Sequence, residues 1–379
     1  MKTLQIGLEW FPERRGGLNR YYYDCTKHLP EVGIDFSGLV IGSDDVNRSS
    51  HGKVTGFITA SVSMWQRWSK LRQYVTRYLK QNDYSLVVSH FAFYTFPALN
   101  LFGKLPMVAH FHGPWAMESE VEGANRVAVK FKKLLEQITY RRANESIVLS
   151  EKFRQVLHRE YGVPLEKIHV IPGGVDVDRF NIDISPNDAR TRLGWDATRP
   201  TIFCIRRLAK RMGLENLIAA MAEVKKAHPD VMLHIAGKGA LADTLQKQIE
   251  ELGLMDNVKL MGYVSDDDLP LCYRAADFSV VPTVALEGFG LITIESLAAG
   301  TPVLGTPVGG TPDIIRPFAE DLVFEGCEPE AIATKINTVL SGDIALPDSE
   351  ACLQYVRDNY DWKIITKKIK QVYEKAANC

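Results

Sequence analysis

Nine residues of the 379-residue sequence carry the clearest chemistry: Glu287-Gly-Phe-Gly-Leu-Ile-Thr-Ile-Glu295. A strand pattern ends at Pro282, a glycine-containing loop follows, and a helix starts near Leu291. The first N–H groups of a helix lack intrahelical partners and sit at the positive end of its dipole, so they form a ready anion site. Glu287 falls in the loop and Glu295 about one turn into the helix. A carboxylate accepts hydrogen bonds from adjacent hydroxyls, so the pair suits a ligand with polyols on both sides of a phosphate. Spacing alone is equally compatible with one capping glutamate and one solvated glutamate.

The elements around this segment alternate. Apolar runs at Leu4–Glu9, Gly38–Ile41, Leu86–Ser89, Met107–Phe111, Ser146–Leu149 and Ile168–Ile171 are separated by amphipathic stretches such as Ala124–Arg142 and Glu151–Tyr161. The pattern restarts with strands at Thr201–Ile205, Val231–Ala236, Val258–Met261, Asp277–Val281 and Pro302–Gly305, and helices at Leu214–Ala227 and Leu241–Leu252. Strands alternating with helices predict mostly parallel sheets with helices on both faces. The chain therefore reads as α/β, with two doubly wound domains in tandem. Asn, Asp, Ser and Pro concentrate near residues 181–198, which marks the joint. Ligands of such sheets bind outside the carboxyl ends of the strands, so two facing domains would hold theirs in the cleft between them.

Glu-x-Phe-Gly with a second Glu eight residues after the first resembles the signature of family-four retaining glycosyltransferases of the two-domain GT-B fold. Ala298-Ala299-Gly300-Thr301-Pro302-Val303 and Gly309-Gly310 resemble its continuation. Gly16-Gly17 after the first strand, His112-Gly113, Ile171-Pro-Gly-Gly-Val-Asp176 with Phe180, Gly237-x-Gly239 and Ala276-Asp277 are similar to further family motifs, in the family's order. The resemblance implies two Rossmann-like domains facing across a cleft. Residues 1–180, with a terminal helix at about 362–379 returning to them, would bind the acceptor. Residues 181–361 would bind a nucleotide sugar.

The resemblance also implies residue roles. Glu295 would bind the ribose and Glu287 the donor sugar's hydroxyls. Backbone amides of Phe289, Gly290, Leu291 and Ile292 would hold sugar hydroxyls and the pyrophosphate. Gly16 and Gly17 would admit the distal phosphate, His112 would contact the donor sugar, and Val264 falls where the family reads the base. The segment Arg206-Arg207-Leu208-Ala209-Lys210-Arg211-Met212-Gly213 departs from the family pattern, because Met212 stands where a lysine is expected. Charge that develops on a leaving phosphate needs fixed cations, and guanidinium groups suit phosphate. Arg207 and Arg211 are assigned that work, with Lys210 a poorer candidate.

The implied reaction is transfer of a hexose, with UDP-glucose the favoured donor, to an acceptor hydroxyl with retention, in polysaccharide or glycolipid assembly. Neither cofactor nor metal is expected, since Asp176-x-Asp178 belongs to the interdomain motif. An epimerase on the same fold, an inverting transferase and a nucleotide-sugar sensor without catalysis are the alternatives.

Composition agrees with an ordinary globular protein: 46% of residues are hydrophobic and the net charge is −1. That near-zero charge hides a split. Residues 1–180 carry 24 basic and 18 acidic side chains, and residues 181–379 carry 21 and 28. The excess in the first half is too small for nucleic-acid binding. It points instead to an anionic, lipid-linked acceptor or to peripheral contact with the inner face of a membrane. Two stretches stand out: residues 61–82, with Arg67, Lys70, Arg72, Arg77 and Lys80 beside Trp65 and Trp68, and residues 126–142, with Arg126, Lys130, Lys132, Lys133, Arg141 and Arg142; two solvated helix faces are the alternative, slightly favoured by composition alone. Residues 84–103 hold no charge, but Ser85, Ser89, His90, Thr95, Pro97 and Asn100 interrupt them, so they read as a strand and a packed helix. Six cysteines without paired spacing, and no signal-peptide pattern, predict a cytoplasmic, reducing setting. Trp10, Phe91, Phe93, Tyr94 and Trp115 could stack on an acceptor sugar or form core.

Overall fold

A computed structural model describes residues 1–11 and 13–378. Pro12 of the first loop and Cys379, the sixth cysteine, lie outside the described residues. The chain forms two units: Met1–Gly174 with the segment from Trp362 onward, and Val175–Asp361. The boundary expected at residue 180 thus falls a little inside the second unit. The Val175 amide donates to the Tyr360 carbonyl at 2.9 Å, and Phe180 packs on Tyr273 with ring centroids 6.0 Å apart, so both belong with the second unit.

The first unit is built on β1 (Lys2–Glu9), β2 (Asp35–Ile41), β3 (Val54–Ile58), β4 (Leu86–Ser89), β5 (Met107–Phe111), β6 (Glu145–Val148) and β7 (Ile168–Val170). They form one sheet in the order β3-β2-β1-β4-β5-β6-β7, and every neighbouring pair is parallel. Leu4, Ile6, Val87, Val88, Met107, Ala109 and Phe111 are fully buried, as a sheet covered on both faces requires. Ile6 of β1 pairs with Ser89 of β4. Strand order reverses between β1 and β4, so their carboxyl ends flank this unit's switch point.

Strand β3 was not expected from the sequence. Its centre is Gly56, where a Cβ would collide with the Ser43 carbonyl. A glycine inside a five-residue strand masks the apolar signal. Residues 84–103 become β4, a helical turn at Ala92–Thr95 and a 3-10 turn at Phe96–Leu101. Among the described residues no helix is long and apolar enough to cross a membrane.

The helix Trp362–Ala377 closes the first unit. Trp362 is buried against Tyr21, with ring centroids 5.3 Å apart, and a Cβ on Gly174 would collide with its indole. Further along the helix, Lys375 pairs with Glu145 at 3.0 Å.

The second unit holds β8 (Thr201–Ile205), β9 (Met232–Ala236), β10 (Val258–Gly262), β11 (Phe278–Val281) and β12 (Val303–Gly305), all parallel, in the order β10-β9-β8-β11-β12. Its switch point lies between β8 and β11. Asp277, at the foot of β11, accepts from buried Arg190 at 2.8 Å and from the Thr201 amide at 2.7 Å. Of the five described cysteines, Cys25, Cys204, Cys272 and Cys352 are buried, Cys327 is partly buried, and all are free thiols.

Candidate functional site

The switch point of the second unit brings together residues far apart in sequence. Just past β8, Arg206 turns its Nη2 to the Thr283 hydroxyl and the Glu287 carboxylate. The Thr283 hydroxyl also lies 3.1 Å from Glu287 Oε2. The Arg206 and Glu287 side chains are only 9% and 12% exposed, so this is a desolvated ion pair. Arg211 Nη1 donates to the Leu286 carbonyl at 3.0 Å. Leu286 has φ +52, a left-handed conformation costly for a branched side chain, so Arg211 braces a strained residue beside Glu287. A Cβ on Gly237 or Gly239 would collide with the carbonyls of Arg206 and Leu208, so the loop after β9 packs closely on the arginine loop.

Gly290, at φ +89, makes the turn into the helix Leu291–Ala298, and no side chain caps that helix. The Thr293 and Thr311 hydroxyls are buried without a hydrogen-bond partner. Both face this turn, because a Cβ on Gly290 would lie 3.0 Å from one and 3.2 Å from the other. Thr311 starts the helix Thr311–Ala319, so two helix beginnings meet here. Orphaned hydroxyls and uncapped amides form a cradle for an anion that carries hydroxyls.

The other expected residues of this unit are placed as follows. Arg207 and Lys210 are exposed. Met212 is buried at 6% exposure and packs as core. The Phe289 side chain is buried with Tyr360, ring centroids 5.9 Å apart, which leaves its backbone for the loop. The Glu295 carboxylate lies 3.3 Å from the Tyr273 hydroxyl, on the helix that Gly290 begins. Val264 follows β10, an edge strand separated from β11 by β9 and β8. Sequence reasoning missed Arg206, Thr283, Thr293 and Thr311. The available signals were a second arginine beside Arg207 and hydroxyls at the starts of two helices.

In the first unit, Gly16 precedes the helix Gly17–His28 with φ +150, which L side chains rarely adopt. Gly17 carries no such demand, since a Cβ there would meet nothing within 4 Å. His112 follows β5 and joins a cluster. His90 Nδ1 is 3.3 Å from His112 Nε2, and His90 Nε2 is 2.8 Å from Gln5 Oε1. His110 lies between the Tyr21 and Tyr373 hydroxyls, at 3.4 and 2.8 Å. Burial pushes the His112 pKa down to about 3, and holds His90 and His110 well below the usual histidine value. All three rings are therefore neutral near pH 7.

The aromatic candidates pack on one another: Trp115 meets Phe93 at 5.1 Å and Phe91 at 5.5 Å between centroids. Tyr94 is buried, and buried Trp10 donates to the Ser49 hydroxyl at 3.0 Å.

Comparison with known proteins resolves what this pair of sheets belongs to. Residues 15–179 match the model of Glycosyltransferase Family 4, and residues 186–374 match that of Glycosyl transferases group 1. The chain belongs to the family-four glycosyltransferases. This glycosyltransferase is 26% identical to an uncharacterized glycosyltransferase of Methanocaldococcus jannaschii, over 99% of this chain and 98% of that one. It is 30% identical to a GDP-mannose-dependent α-(1-6)-phosphatidylinositol monomannoside mannosyltransferase of Mycobacterium tuberculosis, over 54% of this chain and 55% of that protein. The match thus spans about half the length of that mannosyltransferase. In structure, the glycosyltransferase is similar to sucrose-phosphate synthase of Thermosynechococcus elongatus, with TM-score 0.83 and 22% identity over 99% and 98% of the chains. It is similar also to Anabaena HepE in complex with UDP-glucose, with TM-score 0.80 and 19% identity over 99% and 100%. The fold is GT-B, and the enzyme moves a sugar from a nucleotide sugar to an acceptor.

Proposed function

We propose that this glycosyltransferase transfers a hexose with retention, UDP-glucose being the favoured donor, and that it needs neither metal nor other cofactor. The observation that carries the reading is the cradle at Gly290, where two helix starts and two orphaned hydroxyls meet beside the Arg206–Glu287 pair. In this reading the amides of Gly290, Leu291 and Ile292 hold the diphosphate, and Glu295 holds the ribose. Glu287 lies against the sugar's hydroxyls. Arg206 and Arg211 oppose the charge that develops on the departing phosphate, a role a metal would otherwise fill. Arg206 supplies the buried cation that Met212 cannot. His112 with Gly16 and Gly17 is assigned to the sugar and distal phosphate, as the family resemblance implies.

The mannosyltransferase relative is named for GDP-mannose and HepE is seen with UDP-glucose, so donor choice is the first test. Hydrolysis of UDP-glucose, UDP-galactose, UDP-N-acetylglucosamine and GDP-mannose would be followed with and without EDTA. The reading expects UDP-glucose to turn over fastest, and EDTA to change nothing. Preference for GDP-mannose, or loss of turnover in EDTA, overturns the corresponding part.

An anionic lipid surface is the favoured setting of the acceptor, through the helix Arg126–Arg142. Val127, Phe131, Leu134 and Ile138 are exposed on it at helical spacing, with Arg126 and Lys130 exposed beside them. The other basic stretch is less suited. Trp68 is buried, Arg67 donates to the Val62 carbonyl at 2.9 Å, and Arg72 donates to Asn100 at 2.6 Å.

A further inference from the structure

We propose that Gln5 and His90 are positioning residues that fix His112 as the tautomer protonated on Nε2, leaving Nδ1 as an acceptor for a sugar hydroxyl. One chain of hydrogen bonds, from Thr3 through Gln5 to His90 and His112, sets the protons. The Thr3 hydroxyl oxygen lies 3.5 Å from the Asp35 carbonyl and is free to accept from Gln5. Gln5 Nε2 donates to that oxygen at 2.9 Å, which aims Gln5 Oε1 at His90. An amide oxygen accepts, so His90 Nε2, 2.8 Å away, carries the hydrogen. A neutral imidazole carries one hydrogen, so His90 Nδ1 is an acceptor. The atom facing it at 3.3 Å is His112 Nε2, which must donate.

Ring geometry supports this bond. The His90 and His112 rings lie within 18° of parallel with centroids 5.5 Å apart, while the two nitrogens approach to 3.3 Å. The rings therefore meet edge to edge, with the donated hydrogen near both ring planes. His90 and His110, at 4.3 Å and 24°, stack face to face instead. The ligand nitrogens of the three histidines lie within 4.8 Å of one another, a separation a metal could also use. Here His90 and His112 point at each other and His110 has a phenol at each nitrogen, so hydrogen bonds account for the cluster. Gln5 and His90 are buried, at 0% and 1% exposure, which keeps water from competing for the chain.

With Nε2 committed to His90, His112 offers a ligand only the lone pair on Nδ1. It can receive a hydroxyl hydrogen but has no hydrogen there to give, so it orients a sugar hydroxyl and does not act as a general acid. This consequence rests on assigning His112 to the sugar; the hydrogen-bond chain does not.

Two-bond 1H–15N correlation spectra of the full chain, labelled at histidine, report the tautomer at pH 7, with His112→Ala identifying the resonance. The expected spectrum has a protonated Nε2 and a bare Nδ1 for His112 and for His90. Gln5→Leu should shift His112 toward a tautomer mixture and lower kcat for donor turnover by about tenfold, with UDP inhibition unchanged. A proton on His112 Nδ1, an imidazolium at pH 7, or a stoichiometric metal in the purified protein whose removal changes these signals overturns the proposal. So does a Gln5→Leu variant with both tautomer and kcat unaltered. If the tautomers are as stated and His112→Ala keeps full turnover, the hydrogen-bond chain stands and the assignment of His112 to the sugar falls.

Discussion

At the residue scale, the Arg206–Glu287 pair is the feature with the sharpest consequences. Both side chains are nearly withdrawn from water, so removing one partner strands the other's charge. Arg206→Ala should cost about 3–5 kcal/mol of stability. Arg206→Met combined with Glu287→Gln should cost less than the sum of the two single changes, yet leave donor turnover lost. Urea unfolding of the four proteins of this cycle measures the coupling, and additivity would mean the pair is not energetically linked. Arg211→Ala should lower turnover by about 100-fold or more, because it removes a cation and the brace on Leu286 together; near-normal kinetics would remove Arg211 from the site. The sequence exposed Glu287 through its spacing to Glu295, whereas Arg206 could not be chosen over Arg207. Adjacent residues leave a strand end in opposite directions, and only the positions of Thr283 and Glu287, many residues away, show which one faces inward.

At the element scale, the helix Arg126–Arg142 has two unlike faces. Its inner face carries Glu136, whose carboxylate accepts from the amides of Trp115 and Ala116, at 3.0 and 3.1 Å, and from the Tyr161 hydroxyl at 3.0 Å. Burial nevertheless pushes the Glu136 pKa up to about 7, against the effect of those three donors. A carboxyl whose pKa is higher folded than unfolded holds its proton better in the folded state, so it lowers stability as pH rises. From this group, stability should fall between about pH 4.5 and 7 by on the order of 1–4 kcal/mol, then level off. Urea midpoints at pH 5 and 7 would show the slope, and Glu136→Gln should abolish it. The outer face carries the apolar stripe. Phe131→Glu with Leu134→Glu should end retention on vesicles containing anionic lipid at low salt, with urea midpoints unchanged because both residues are exposed. Hydrophobic periodicity located this helix, but it could not tell which apolar residues face the core. Val129 and Leu135 do; Phe131 and Leu134 do not.

At the scale of the whole molecule, strand–helix alternation was enough to read two parallel sheets, because strands buried on both faces appear as short apolar runs. It failed at β3, where Gly56 interrupts the run, and at the unit boundary, where packing rather than composition assigns residues 175–180. The histidine cluster was illegible for a related reason: Gln5 lies within β1 while His90 and His112 follow β4 and β5, and sheet order, not spacing, makes them neighbours. If the cradle at Gly290 is the nucleotide site, saturating UDP should slow hydrogen exchange at the amides of residues 288–296. At about 100 times its dissociation constant it should add about 2.7 kcal/mol to the unfolding of the second unit. Unchanged exchange there would place the nucleotide elsewhere.

The helix Trp362–Ala377 gives the molecule a timetable. A ribosome delivers all of the second unit, Val175–Asp361, before it delivers the segment that completes the first. Until then Gly174 lacks the indole that packs on it, and His110 lacks the Tyr373 hydroxyl. The half made first is thus finished last. A nascent chain with residues 1–361 outside the ribosome should hold a complete Gly290 turn beside an incomplete histidine cluster, and a late truncation should injure the part of the enzyme made earliest.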